Sequence, residues 1–473
     1  MTARRVRLAP EARELVDGFE RIRAAMHLPA GFPPDVEREL GSLPDPTKDP
    51  SRRDATEIGF VTIDPPGSRD LDQAFHAQRN GAGYLVHYAI ADVAAFVAPG
   101  SALDRESHRR GQTLYSPDRR VPVYPPEVSE GVASLLPTVT RPAVLWSLEL
   151  DARGTVVDVV VERANVVSSE QLSYEQVQHS IDDRDAGPSL LLLQEIGRLR
   201  QKIERERGGI SLHLPEQEVV RVGASYELAY RAPLPVEDWN AQISLMTGMA
   251  AAEIMIEGGI GLLRTMPPPD AETIAMLRRS ALALGLQWPD SMSYRDFVNT
   301  LDASKGADAA IVTQAARLFR GVNYVAFDGT APTDAIHHAI AAPYAHVTAP
   351  LRRMADRYAT EVCLAVARGQ RPPEWCVAAL AALPEEMKEA DRRAGELERR
   401  VVDLVEAVVL SDHVGEVFDA VVIGLNKNGG TIQLRDPAVV TSCDGERFQL
   451  GAPVRARLIE ADPVKGRLRF EAV

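Results

Sequence analysis

The sequence predicts an α+β multidomain protein in three parts. A small N-terminal helical module precedes a central unit with a β-sheet core and surrounding helices, and a small barrel closes the chain. Three observations predict this. The chain has 473 residues, enough for about three domains of ordinary size. Its hydrophobic periodicity switches from helical to strand-like and back to helical. From Gly415 onward, short and evenly spaced strands return, the pattern of a small OB-type barrel. The expected boundaries are residues 1–54, 55–410 and 411–473.

Each element has a local reason. Leu15, Phe19, Ile22 and Met26 recur at spacings of three and four, which predicts an amphipathic helix. The segment PAGFPPDVEREL breaks that helix and starts a short second one. Leu43 to Asp54 is polar and proline-rich and reads as a linker. Gly59–Ile63 and Tyr84–Ala89 read as buried strands, and Val144–Leu150 and Val156–Val161 as a pair around the turn Asp151–Gly154. Helical periodicity follows at LLLLQEIGRLRQKIERER, Glu237–Glu257, Ala271–Leu284, Ala309–Leu318 and Leu351–Ala367, and a long charged helix begins at Leu383. The terminal strands are GEVFDAVVIGL, GGTIQLRD, RFQLGAPVRARLIEAD and GRLRFEAV.

Composition narrows the class. Hydrophobic residues make up 45% and charged residues 25%, which excludes a disordered, collagen-like or disulfide-stapled chain. The net charge of −14 argues against a polyanion attracted by the whole-protein field. The barrel from Gly415 is neutral, with eight basic and eight acidic residues. Only six of the 53 basic residues are lysine. Arginine's planar fork suits phosphate, although genomic base composition also raises arginine content. Cys363, Cys376 and Cys443 are odd in number and form no CxxC, against a disulfide framework or a cysteine zinc site. The N-terminus lacks an apolar signal core, and no run of about 18 apolar residues exists. The expected compartment is the cytoplasm, with no membrane partner.

The most informative segment is FVTIDPPGSRDLDQAF. A strand delivers Asp64 to its end, Pro65, Pro66 and Gly67 force a turn, and Asp70 and Asp72 follow one residue apart. In an extended chain, residues i and i+2 share a side, so three carboxylates can converge. Such convergence is costly unless a cation lies between them. Hard oxygens without His or Cys suit Mg²⁺, with Mn²⁺ as the alternative. A solvated acidic turn is the competing reading.

A second segment is YAHVTAPLRRMAD. Thr348 is a candidate helix cap and Pro350 a first-turn proline. Arg352 and Arg353 would then sit where the helix dipole disfavours cations. That mismatch points either to a phosphate or to an intramolecular salt bridge. His346 reads as structural. Tyr115 lies in DRESHRRGQTLYSPDRR, a locally basic stretch of the kind that holds single strands by stacking, with a core tyrosine as the alternative.

Taken together, IDPPGSRDLDQAF, HYAIADVAAFV, DRESHRRGQTLYSPDRRVPVYPPEVSEGVASL, LSYEQV, RERGGISLHLPE and YAHVTAPLRRMAD resemble the RNase II/RNase R (RNB-domain) family over roughly residues 55–400. The part from Gly415 resembles an S1 domain. The resemblance implies a hydrolytic, Mg²⁺-dependent 3′→5′ exoribonuclease that acts on RNA 3′ ends and releases nucleoside 5′-monophosphates one at a time. The expected enzyme is processive, and with its own three-part architecture it is expected to work as a monomer. It implies catalytic acids at Asp64, Asp70 and Asp72 and a phosphate contact at Arg352 with Arg353 beside it. It also implies a stacking aromatic at Tyr115 and a product-length tyrosine at Tyr174.

The chain departs from the family pattern in several places. Gln73 stands where a fourth acid is usual; its amide oxygen remains a candidate ligand, and Asp92 is a candidate substitute. The second clamp aromatic falls near Val219 or Val220. The helix glutamate beside the sugar is replaced within Trp239–Gln242, where Asn240 or Gln242 is a candidate polar contact. Only 57 residues precede Ile58, and they read as helical, so the family's two cold-shock barrels are not expected. The helical module is then either a replacement nucleic-acid-binding element, of helix-turn-helix type, or a packing appendage. Two other functions stay open: a catalytically weakened RNA-binding protein, and an exonuclease acting on DNA.

Overall fold

The computed structural model describes residues 6–7, 12–210, 216–222, 225–231, 233–301, 306–315, 318, 321–426, 429–434 and 439–473. Its centre is a sheet in the order Arg53–Asp54, Val156–Ser173, Phe60–Asp64, Gln73–Asn80, Gly83–Ala91 and Thr140–Leu150. The last of these pairs back onto Val156–Ser173, so the strands form a closed circuit. One strand can do this because it is 18 residues long. Its first part pairs antiparallel with Thr140–Leu150, and its last part pairs parallel with Phe60–Asp64. The expected strand Val156–Val161 thus continues much further. The residues that carry it on alternate between buried and less buried faces, the period of a strand half-covered on each side. Arg53 and Asp54, expected in the linker, pair with Ala164 and Asn165 and belong to the sheet.

Helices cover the sheet. Pro188–Arg207, Pro235–Glu257 and Met354–Val366 carry the runs of apolar residues that their sequences advertise, and all three contribute to the central core or pack against it. Trp146, Tyr88, Phe60 and Phe75 are among the largest fully buried side chains there. The C-terminal strands form a closed five-stranded barrel, as their spacing predicts.

A second core joins parts that are distant in sequence. Leu15 and Phe19 of the first helix, Ala12–Ala25, pack with Leu397, Val401 and Leu404 of the long helix Leu383–Val409. The same cluster includes Leu114 and Val121 from a short hairpin, and Ala420, Ile432 and Phe470 from the barrel. Among the described residues, no helix is long and apolar enough to cross a membrane.

Candidate active site

The acidic segment is built by local rules. Strand Phe60–Asp64 ends at Asp64, and Ser68 N–H closes a turn onto the Pro65 carbonyl at 3.1 Å. Gly67 takes φ +82°, the value a type II turn asks of its third residue. The chain then returns and is pinned on both sides of Leu71. Leu71 N–H donates to Ser134 Oγ at 3.0 Å, and Ala91 N–H donates to the Asp72 carbonyl at 2.9 Å.

The three carboxylates differ in setting. Asp64 is half-buried, and its Oδ2 is enclosed without a hydrogen-bond partner. Burial, and then the Asp70 carboxylate, raise Asp64 to about 7, against the pull of Arg352. Asp72 is 4% exposed. Burial raises it to about 8, opposed by Arg352 and by a 2.7 Å hydrogen bond from Leu351 N–H. Asp70 is held from the other side: Arg120 Nη1 lies 2.5 Å from Oδ1, and the Tyr115 hydroxyl donates to Oδ2 at 3.2 Å. Among the described residues, no three His, Cys, Asp or Glu side chains stand close enough to enclose a metal ion as they are. The donor set nevertheless fits a hard divalent cation. It offers carboxylate oxygens alone, one of them orphaned, on groups whose mutual repulsion a cation would relieve.

Arg352 and Arg353 part company. Arg352 is 45% exposed along its side chain, with Nε 3.6 Å from Asp72 Oδ2. Arg353 is turned inward, where Nε and Nη2 donate to both oxygens of Asp356 at 3.0 and 2.9 Å. Despite the cost of burial, Asp356 holds Arg353 firmly charged. Of the two local readings, the salt bridge describes Arg353; Arg352 pairs loosely with Asp72 and leaves its guanidinium partly open to solvent.

The helix also starts later than the sequence suggests. It begins at Met354, with Arg353 extended at the cap position, so neither Thr348 nor Pro350 lies at its start. The neighbouring N–H groups are already used: Ala349 N–H donates to Asp356 and Leu351 N–H to Asp72.

Tyr115 is 51% exposed, with its hydroxyl held by Asp70. Tyr174 follows Ser173, the register partner of Asp64, and opens a helix capped by Ser173 and Gln176. Burial and then Asp64 raise its hydroxyl to about 12, partly offset by a hydrogen bond with Asn240.

Four other candidates have different roles. Gln73 Nε2 donates to the Thr348 carbonyl, and its Oε1 accepts from Tyr88 O–H at 2.9 Å, so the amide ties two segments together. Gln242 is buried and donates to Glu204 Oε2 at 2.8 Å; of the two candidate polar contacts on that helix, Asn240 reaches Tyr174. Asp92 is buried against Arg52 at 2.6 Å and Arg163 at 3.1 Å, an ion pair that removes it from the acidic group. His346 is buried, bonded to Tyr324 O–H at 2.6 Å and held well below the usual histidine range by burial, in keeping with a structural role. Val219 and Val220 lie on strand Glu216–Val222, and their side chains lie outside the described residues.

Arg120 and the backbone of Leu351 were not anticipated. The SPDR turn between Tyr115 and Arg120 signals the hairpin that sets them side by side, so Arg120 was within reach of sequence. The Leu351 contact had no local signal.

The chain belongs to the RNB-domain family. The RNB domain model matches residues 52–368, and the model for the RNase II-type exonuclease C-terminal S1 domain matches residues 416–473. Ribonuclease R 1 of Lactococcus lactis is 24% identical over 500 residues, covering 95% of this chain and 60% of that protein. The chain therefore spans about three fifths of the length of such a relative. Among solved structures, Mycoplasma genitalium RNase R in complex with ribose-methylated single-stranded RNA matches with a TM-score of 0.88 at 19% identity, covering 97% of this chain and 78% of that one. Yeast Ssd1, described as a pseudonuclease, matches with a TM-score of 0.68 at 18% identity, covering 88% of this chain and 52% of that one.

Proposed function

We propose that the chain is a processive 3′→5′ exoribonuclease that hydrolyses single-stranded RNA to nucleoside 5′-monophosphates, acting as a cytoplasmic monomer. The observation that carries this reading is the juxtaposition of Asp64, Asp70 and Asp72 with an exposed Arg352 and an exposed Tyr115. Membership in the RNB-domain family and the ribonuclease R relatives support it.

Asp64, Asp70 and Asp72 are the residues that would hold Mg²⁺, or Mn²⁺ in its place. Such an ion, when bound, supplies charge neutralisation at phosphate and lowers the pKa of water. The other roles fall to the chain itself. Tyr115 stacks on a base near the 3′ end, and Tyr174 limits how far the strand advances. Arg352 contacts the scissile phosphate and stabilises the charge that builds on it as water attacks in line. The P–O3′ bond breaks, the 3′ oxygen of the preceding nucleotide leaves, and a nucleoside 5′-monophosphate is released. Arg120 orients Asp70.

The test is 5′-labelled single-stranded RNA incubated with Mg²⁺, with and without chelator. A ladder descending to very short products, abolished by chelator, is expected; intact RNA overturns the reading. A second reading, a weakened RNA-binding protein, draws on the amide of Gln73 where the family pattern has an acid, and on the likeness to a pseudonuclease fold. Uncut RNA in a shifted band would favour it. Matched DNA and RNA oligomers separate both from a DNA exonuclease.

A further inference from the structure

Tyr115 and Arg120 are paired across a short hairpin, and both touch Asp70. The turn between them, Ser116 to Arg119, is gripped by a residue from the N-terminal module. Arg23, in the last turn of the first helix, is 2% exposed. Its Nη1 donates to Asp118 Oδ1 at 2.7 Å and to Ser116 Oγ at 2.9 Å, and its Nη2 donates to Asp118 Oδ2 at 2.6 Å. Glu20, one turn earlier, accepts from Arg23 Nη2 at 2.9 Å and from Arg119 Nη2 at 2.9 Å. One helix face thus holds the turn through a bidentate arginine–carboxylate pair and a second bridge, the geometry that fixes orientation as well as distance.

The helix carrying Arg23 is itself firmly seated. Phe19 is fully buried, and Gly18 lies so close to the long helix that a Cβ there would stand 2.5 Å from Leu404 Cδ2. The hairpin's Leu114 and Val121 share that core.

We propose that Arg23 is a positioning residue for the RNA 3′ end: by holding the Ser116–Arg119 turn, it sets the placement of Tyr115 and Arg120 against Asp70. This rests on the exoribonuclease reading of the site. It gives the N-terminal helix a role in substrate placement without direct contact with RNA.

The test combines binding and kinetics in the full-length chain. An RNA with 2-aminopurine at its 3′ end, bound in chelator, reports stacking without catalysis. Arg23→Ala is expected to lose most of the bound-state quenching and to raise KM about tenfold, while kcat changes less than about threefold. Tyr115→Ala is expected to cost about tenfold in kcat/KM in the wild-type background and under about threefold with Arg23→Ala, because coupled residues are not additive. Arg23→Lys should recover part of the quenching. If Arg23→Ala does not fold by circular dichroism, Asp118→Asn keeps the turn's shape and is expected to shift KM by about threefold in the same direction. Wild-type quenching, KM and Tyr115 cost in a folded variant would overturn the proposal. Wild-type protein that leaves RNA intact in Mg²⁺ overturns the reading of the site instead, and the quenching result still decides the role of Arg23.

Discussion

Arg352 Nε lies 3.6 Å from Asp72 Oδ2, while the other oxygen of that carboxylate accepts the Leu351 N–H at 2.7 Å. One acid is therefore bound to the backbone beside the arginine that faces solvent. Asp72→Asn is expected to abolish hydrolysis and leave RNA binding intact, measured by labelled-RNA decay and gel shift. Digestion at near wild-type rate would sink the assignment of Asp72.

Arg352 and Arg353 should separate cleanly by mutation. Arg353→Ala strands Asp356 in a buried site and is expected to cost about 3–5 kcal/mol of stability. Arg352→Ala removes an exposed side chain and should change stability by no more than about 0.5 kcal/mol. Its rate of RNA hydrolysis should nevertheless fall by about a hundredfold or more, the range seen when a preorganised transition-state contact is lost. Urea melts and single-turnover rates on the same preparations decide both.

The raised carboxylates make stability depend on pH. Asp64 at about 7 and Asp72 at about 8 keep their protons in the folded chain to much higher pH than the ordinary 3.8. Between those limits the folded state holds more protons than the unfolded one, so stability falls as pH rises. In chelator, the melting temperature should drop from about pH 5 to about pH 9, and Mg²⁺ should restore more of it at the higher pH. Asp72→Asn should flatten the profile. A melting temperature that rises across this window in chelator would contradict the burial of these acids.

Salt should weaken RNA binding, because the proposed contacts are local arginines in a chain of net charge −14. Each phosphate contact on a single strand contributes about −0.7 to the slope of log K against log salt. Arg352→Ala should reduce the slope by about that amount, read by fluorescence anisotropy across a salt series. A salt-independent affinity would remove the arginines from the interface.

The legible parts of this site were those made by neighbouring residues. The Asp64 strand and the PPG turn follow from short-range rules, and the structure builds them that way; the convergence expected from the DLD spacing does not close into a three-carboxylate cluster among the described residues. The roles decided by distant partners could not be read. Arg353 pairs with Asp356, three residues on, at helical spacing, whereas the partner of Arg352 is Asp72, from a segment far earlier in the chain. Asn240 and Gln242 are two apart on one helix and so face different ways; only the docking of that helix selects which meets Tyr174. Asp92 is taken by Arg52 and Arg163, which reach it from segments that the local sequence around Asp92 does not announce. The fold followed the same division, since strand Val156–Ser173 is stabilised along its second half by a parallel partner more than a hundred residues earlier.

The core shared by Leu15, Phe19, Leu114, Leu397, Leu404 and Phe470 ties head, hairpin, long helix and barrel together. Loss of either end would uncover oily surface on the other and on the hairpin beside Asp70. Amide protons in Ala12–Ala25 and in the barrel strands should therefore exchange with deuterium as one group, opening together rather than fraying separately. Proteolytic removal of the barrel should then also loosen the hairpin that carries Tyr115 and Arg120, through the core they share.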